Sequence, residues 1–168
     1  MPAGVVLDTS FLITLADSHR HNHAVARRYW IHFTENAIPI YLPTIVVSEF
    51  CLRQEIPVAI LRSCVVLPFN WDDAKQAAAL NFKRGIHHAQ NRDSLKDDVK
   101  ILGQAAVKES AYVITDDSSS FYEFGKMMEN EGTGKFKTIK LGDGFDIAFF
   151  NGGQRELGLG ADNQESEE

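Results

Sequence analysis

KDDVKILGQAAVKESAYVITDD, residues 96–117, begins and ends with adjacent aspartates, and almost everything between the two doublets is apolar or small. Ile101, Leu102, Ala105 and Ala106 recur at helical spacing on the side of Asp98, and AYVITD (111–116) is a strand-forming run. A helix from Asp98 to Glu109 travels about 16 Å. A strand from Ala111 to Asp117 returns about 20 Å. With a reversal at Ser110, both acidic pairs finish at nearly the same level. In a chain that alternates helices and strands, that level is the carboxyl edge of a parallel sheet, where open α/β folds place their ligands.

The rest of the chain supplies the alternation. GVVLD (4–8), IPIYLP (38–43), VVLPF (65–69) and KTIKLGD (137–143) are further strand-like runs. Helical spacing fills 11–34, with a break near Asp17-Ser18, and also 44–54, 56–63, 72–83, 94–109 and 119–130. The expected architecture is α/β: a mostly parallel sheet of about five strands covered on both faces. RGIHHAQNRDSL (84–95) is polar and mixed in charge, as a loop beside a site would be. Residues 151–168 are rich in Gly and acids and carry too little apolar surface to order themselves. One domain over 1–150 and a disordered tail over 151–168 are expected. A chain of 168 residues, 44% hydrophobic, has material for one substantial core.

Two more acids reach the same edge. Asp8 ends the run GVVL and is followed by Thr-Ser. Glu49 lies five residues after Thr44, about 7 Å down a helix leaving the strand IYLP. Its neighbours Val46 and Phe50 shield it in part from water. Four elements thus bring carboxylates to one corner, which is costly unless a cation neutralises them. Hard oxygen donors call for Mg²⁺ or Mn²⁺, one or two ions. Such ions bind phosphate oxygens, acidify an attacking water and stabilise the leaving oxygen, so the corner has the makings of a phosphodiesterase. The formal charge of -6, from 17 basic against 23 acidic residues, argues against a protein that coats DNA with a basic surface. It does not argue against a nuclease whose acids hold metal.

VVLDTSFLITL (5–15), LPTIVVSEF (42–50) and KDDVKILGQAAVKESAYVITDD (96–117) stand in the order found in the PIN domain family of metal-dependent ribonucleases, and the chain resembles that family over most of residues 4–121. The DTSxL opening, the late VITDD unit and the helix-borne Glu between them carry the resemblance. It implies a three-layer α/β/α fold, carboxylates holding Mg²⁺ or Mn²⁺, and endonucleolytic hydrolysis of RNA that leaves a 5′-phosphate and a 3′-hydroxyl. Many members are VapC-like toxins held inactive by a small antitoxin, so the resemblance implies RNA as substrate and makes a small protein antitoxin a candidate partner; a homodimer is a candidate assembly.

Asp8, Glu49, Asp98 and Asp117 match the family's four acidic positions. In the first doublet, helical facing favours Asp98, because Asp97 shares its side with Lys100 and Gln104. Asp97 stays open as a ligand. In the second doublet strand alternation lapses, and the family's acid falls two residues beyond the strand-end Thr, here Thr115. The resemblance therefore selects Asp117, with Asp116 as the alternative. The interval from Asp98 to Thr115 is about one residue longer than the family's. By these chemical roles, Asp8 and Asp98 are direct metal ligands and Asp117 a ligand directly or through water. Glu49 is a water-mediated ligand or the group that deprotonates the attacking water. Ser10 and Thr115 are expected to fix the carboxylates by hydrogen bonds. Ser120 with Glu123 has the pattern of a capping box for the next helix, which would leave Asp117 free for metal.

Other features decide less. HRHNH (19–23) puts no two histidines on one helical face and has no Cys beside it, so a zinc site is disfavoured. Arg20, Arg27, Arg28, Lys83, Arg84 and Arg92 are candidates for RNA contacts, weighed against plain solvated surface. Trp30 and Trp71 are expected in the core, and Cys51 and Cys64 as buried, unpaired thiols. No basic-then-apolar leader and no run of about 20 apolar residues is present, which points to a cytoplasmic protein without a membrane partner. Competing assignments are a catalytically silent PIN-like module that binds RNA or protein, a haloacid-dehalogenase-like phosphatase and a flap-type DNA nuclease. The phosphatase would need a DxD motif where DTS stands, and the flap nuclease a long helical arch.

Overall fold

The computed structural model describes the backbone of residues 3–83 and 92–150, and the side chains of residues 3–80 and 97–150. Arg84, most of the 84–95 stretch and the 151–168 tail lie outside these residues, as do the side chains of Lys83 and Arg92. The strands are β1 (Val5–Leu7), β2 (Ile40–Pro43), β3 (Cys64–Leu67), β4 (Tyr112–Thr115) and β5 (Lys137–Lys140). They form one parallel sheet in the order β3-β2-β1-β4-β5. The helices are α1 (Thr9–Ala16), α2 (His23–Glu35), α3 (Thr44–Phe50), α4 (Val58–Arg62), α5 (Trp71–Lys83), α6 (Arg92–Val107) and α7 (Ser120–Asn130). They cover both faces, giving a three-layer α/β/α architecture.

Chain order explains the site. From β1 the chain moves outward through β2 to β3, then crosses back through α5 and α6 to place β4 on the other side of β1. Connections leaving β1 and β4 diverge at this switch, opening a crevice at their carboxyl ends. Val5, Val6 and Leu7 pair with Tyr112, Val113 and Ile114, so Asp8 and the residues after Thr115 emerge side by side. The three β1 side chains are fully buried, as a central parallel strand requires.

The reversal after α6 occurs where the sequence places it. Lys108 N–H still donates to Gln104 carbonyl, Glu109 takes a left-handed φ of 51°, and Ser110 N–H donates back to Ala105 carbonyl. This left-handed stop closes the orphan carbonyls and turns the chain into β4. The 11–34 segment breaks at Asp17 into α1 and α2, and α6 starts at Arg92, so the end of the polar 84–95 stretch is helical rather than loop.

Packing departs from expectation at the sheet edge. β3 is an edge strand whose Val65 and Val66 are both exposed. Trp71 is 76% exposed, not core, because it opens α5 beyond the cover of neighbouring elements. Cys51 is exposed, contrary to expectation, while Cys64 is half-buried and its thiol is pushed up to about 12 by burial. Among the described residues, no helix is long and apolar enough to cross a membrane.

Candidate active site

Asp8 is the N-cap of α1 and is 4% exposed. Its Oδ2 accepts hydrogen bonds from Ser10 N–H at 3.2 Å, Ser10 Oγ at 2.5 Å and Thr115 Oγ1 at 2.8 Å. These partners fix the rotamer and leave Oδ1 as the oxygen the hydroxyls do not engage. Ser10 Oγ also accepts from Asp116 N–H at 2.8 Å and Asp117 N–H at 3.1 Å, and Thr115 Oγ1 accepts from Asp117 N–H at 2.9 Å. Ser10 and Thr115 therefore tie the start of α1 to the end of β4, the positions expected of residues that orient the acids. Burial holds the Asp8 carboxyl above its ordinary 3.8, against the opposing pull of these hydrogen bonds.

The second doublet splits by partner. Asp116 turns towards α1 and α2: its Oδ2 accepts from Thr14 Oγ1 at 2.6 Å and its Oδ1 from Asn22 Nδ2 at 2.7 Å, with Arg20 at 4.0 Å. Asp117 turns the other way. Its Oδ2 accepts from Ser120 Oγ at 2.8 Å, and the same Ser120 oxygen stands 2.6 Å from Asp98 Oδ2. The two doublets thus meet through Asp98 and Asp117. The expected capping box of Ser120 with Glu123 does not form: the N-cap is Ser119, which makes no side-chain cap bond. Asp117 holds this turn instead, accepting from Ser119 N–H at 2.7 Å, Ser119 Oγ at 2.6 Å and Phe121 N–H at 3.4 Å. Burial acts to raise the Asp117 carboxyl, but hydrogen bonds from Ser119, Ser120 and Phe121 outweigh it and hold the group below its ordinary value.

Glu49 joins from α3, where its Oε2 accepts a hydrogen bond from Thr9 Oγ1. Thr9 is a site residue that sequence inspection missed, although it stands in the DTS triplet. Burial raises the Glu49 carboxyl, and the charges of Asp97 and Asp8 add to the effect. Asp97 is ion-paired to Lys100 at 2.6 Å. Its neighbour on the same face, Gln104, is fully buried rather than solvated, because Nε2 donates to Pro68 carbonyl at 2.9 Å and to Asp73 Oδ2 at 3.2 Å across the α5–α6 contact.

Asp98 is strongly perturbed. Burial pushes its carboxyl up to about 7, reinforced by the negative charges of Asp8, Asp117 and Glu49 and opposed by Ser120. Asp8, Asp117 and Glu49 are thus near enough for their charges to act on Asp98. Their donors are all oxygen, the chemistry that suits Mg²⁺ or Mn²⁺. Among the described residues, no three His, Cys, Asp or Glu side chains are arranged to hold a metal as they stand. Hydroxyls of Thr9, Ser10, Thr115 and Ser120 each engage a single oxygen of a carboxylate, and Asp8 Oδ1 and Asp98 Oδ1 lie outside these contacts.

Between the C-terminal ends of α1 and α3 runs a cleft of about 430 Å³ whose lining includes Ile13, Asp17, His19, Phe50, Arg53 and Gln54. The other candidate cations sit differently. Arg28 lies over the Phe145 ring at 4.5 Å, Arg27 lines a shallow groove with Trp30 and Ile31, and Arg20 faces Asp116. His19 pairs with Asp17, and His23 contacts the Thr14 carbonyl, so the histidines do not converge.

No family sequence model and no curated relative matches the chain. Solved structures do. VapBC2 from Rickettsia felis, bound to a DNA fragment from its promoter, aligns over 80% of this chain and 97% of its own, with a TM-score of 0.57 and 11% identity. FitAcB from Neisseria gonorrhoeae aligns over 82% and 97%, with a TM-score of 0.56 and 16% identity. The chain has a PIN-like fold. A sarcin-ricin loop cleaving toxin, VapC20 from Mycobacterium tuberculosis, aligns over 74% of this PIN-like chain and 95% of its own, with a TM-score of 0.51 and 17% identity. In the PIN-like frame, the acidic corner lies where β1 and β4 end side by side.

Proposed function

We propose that the protein is a metal-dependent endoribonuclease whose active site is the corner formed by Asp8, Glu49, Asp98 and Asp117. The observation that carries this reading is the meeting of Asp98 and Asp117 on one hydroxyl, beside the buried Asp8, with Asp98 raised to about 7 by burial and, in addition, by its acidic neighbours. Such a concentration of buried negative charge is unfavourable for stability alone and is what a divalent cation would relieve. Asp8, Asp98 and Asp117 would hold Mg²⁺ or Mn²⁺, which supplies Lewis-acid activation of water and phosphate oxygens when bound. Glu49, half-buried and raised by burial, is suited to take the proton of the attacking water. Thr9 orients that carboxylate. The cleft bearing Arg53 and Gln54, at the C-terminal end of the helix that carries Glu49, offers polar groups to the RNA strand.

The finer assignment is a toxin of a toxin–antitoxin pair, acting in the cytoplasm and restrained by a small protein partner. It rests on the toxin–antitoxin complexes that share the fold. A small reading frame adjacent to this gene, whose product copurifies with the chain and blocks cleavage, is the expected companion. Incubation of the purified protein with total RNA and Mn²⁺ or Mg²⁺ tests the enzyme: the wild type cleaves, while Asp8→Asn and Asp98→Asn do not. Cleavage that survives both substitutions, or no cleavage under any divalent condition, overturns the proposal.

A further inference from the structure

Ser120 opens α7, yet its hydroxyl does no capping. It stands 2.6 Å from Asp98 Oδ2 and 2.8 Å from Asp117 Oδ2, joining carboxylates carried by α6 and by the end of β4. A hydroxyl has one proton, so it donates to one of these oxygens at a time and cannot neutralise the pair. It nevertheless keeps two like-charged groups aimed at a common point. The packing of α7 helps to fix the place of Ser120. One turn along α6 from Asp98, Leu102 lies beside Gly125 of α7, where an added Cβ would stand 3.5 Å from Leu102 Cδ2 and 2.9 Å from Thr138 Cγ2 and Oγ1. The tight approach is to Thr138 of β5, while Leu102 of α6 stands at ordinary contact distance, so α7 is seated against both elements.

We propose that Ser120 is a positioning residue for the divalent cation, holding Asp98 and Asp117 in a converged arrangement before metal arrives. The proposal rests on the metal-site reading of the acidic corner and assigns to that site a hydroxyl from the following helix. Without the hydroxyl, mutual repulsion separates the two carboxylates, and the cation must first reassemble them.

Calorimetric titration of Mn²⁺ into the full chain, without RNA, tests this for wild type, Ser120→Ala and Ser120→Thr. Ala is a good helix former at this position, so the fold survives, as circular dichroism in EDTA would record. The expected result is a loss of about tenfold to a hundredfold in Mn²⁺ affinity for Ser120→Ala, the range typical of groups that orient metal ligands. Ser120→Thr restores most of it, and cleavage by Ser120→Ala recovers as Mn²⁺ is raised. Unchanged or tighter binding by Ser120→Ala, or failure of Ser120→Thr to restore it, overturns the proposal. Wild type that binds no Mn²⁺ overturns the metal site and this inference together. If wild type binds Mn²⁺ without cutting RNA, the ribonuclease reading alone falls and the titration still decides on Ser120.

Discussion

Replacing Asp98 with Asn should stabilise the metal-free protein. In the folded chain this carboxyl is raised from 3.8 to about 7, so between those values the folded state binds more protons than the unfolded one. Stability therefore falls as pH rises through that window, and the full penalty is present above about pH 7. At about 1.4 kcal/mol for each tenfold change, the ceiling is about 4 kcal/mol. Partial solvent access and relaxation of the corner reduce it to about 1–2 kcal/mol, or about 2–8 °C in Tm for a domain of this size. Asn keeps an acceptor for Ser120 and carries no charge. Thermal melts in EDTA at pH 8.5 should place Asp98→Asn above wild type, with the gap narrowing by pH 5 and vanishing below about pH 4 as wild-type Asp98 stays protonated in both states. Added Mn²⁺ should then raise the wild type and leave the variant unmoved. A variant that melts at or below wild type at pH 8.5 in EDTA would refute the reasoning that a charged Asp98 buried among acids opposes folding.

Asp116→Ala removes the acceptor for Thr14 and Asn22 and should cost about 1–3 kcal/mol in urea unfolding while Mn²⁺ affinity is kept. Loss of Mn²⁺ binding by a folded Asp116→Ala protein would transfer the ligand role from Asp117 to its neighbour. Gln104→Ala takes this donor from the Pro68 carbonyl and leaves Asp73 Oδ2 with Asn70 N–H at the α5–α6 contact, and a loss of about 1–3 kcal/mol is expected, with cleavage per folded molecule unchanged. Gly125→Val drives its side chain into Thr138 and should lower stability by about 1–3 kcal/mol, seen as a lower Tm. A Gly125→Val protein as stable as wild type would show that α7 is free to shift away from β5.

The sequence carried the architecture because each strand is a short apolar run and each helix shows its period, and the match of helix and strand lengths in 96–117 placed two acidic pairs at one edge. The choice of Asp98 over Asp97 was legible for the same reason: buried Ile101, Leu102 and Ala105 define the inward face of α6. The burial of Gln104 is not legible locally, because it depends on Pro68 and Asp73, more than thirty residues away. The second doublet was opaque locally for a similar cause. Thr14 and Asn22, about a hundred residues upstream, turn Asp116 aside, and nothing in VITDD announces them. Ser120 was mistaken for a cap because a serine three residues before a glutamate satisfies the capping pattern whether or not the box forms. Edge placement of β3 and exposure of Trp71 and Cys51 follow from strand order, which apolar runs do not encode.

The central claim is that clustered carboxylates support hydrolysis of RNA by a metal-activated water. The ends of the cleavage products test it most directly, using one defined RNA with wild type, Asp8→Asn and Asp98→Asn in Mn²⁺ and in EDTA. Fragments bearing 5′-phosphate and 3′-hydroxyl ends, formed by wild type in Mn²⁺ and absent in EDTA and with either variant, are the predicted result. Fragments ending in 2′,3′-cyclic phosphate that persist in EDTA and with both variants would contradict it, since the RNA's own 2′-hydroxyl would then be the nucleophile.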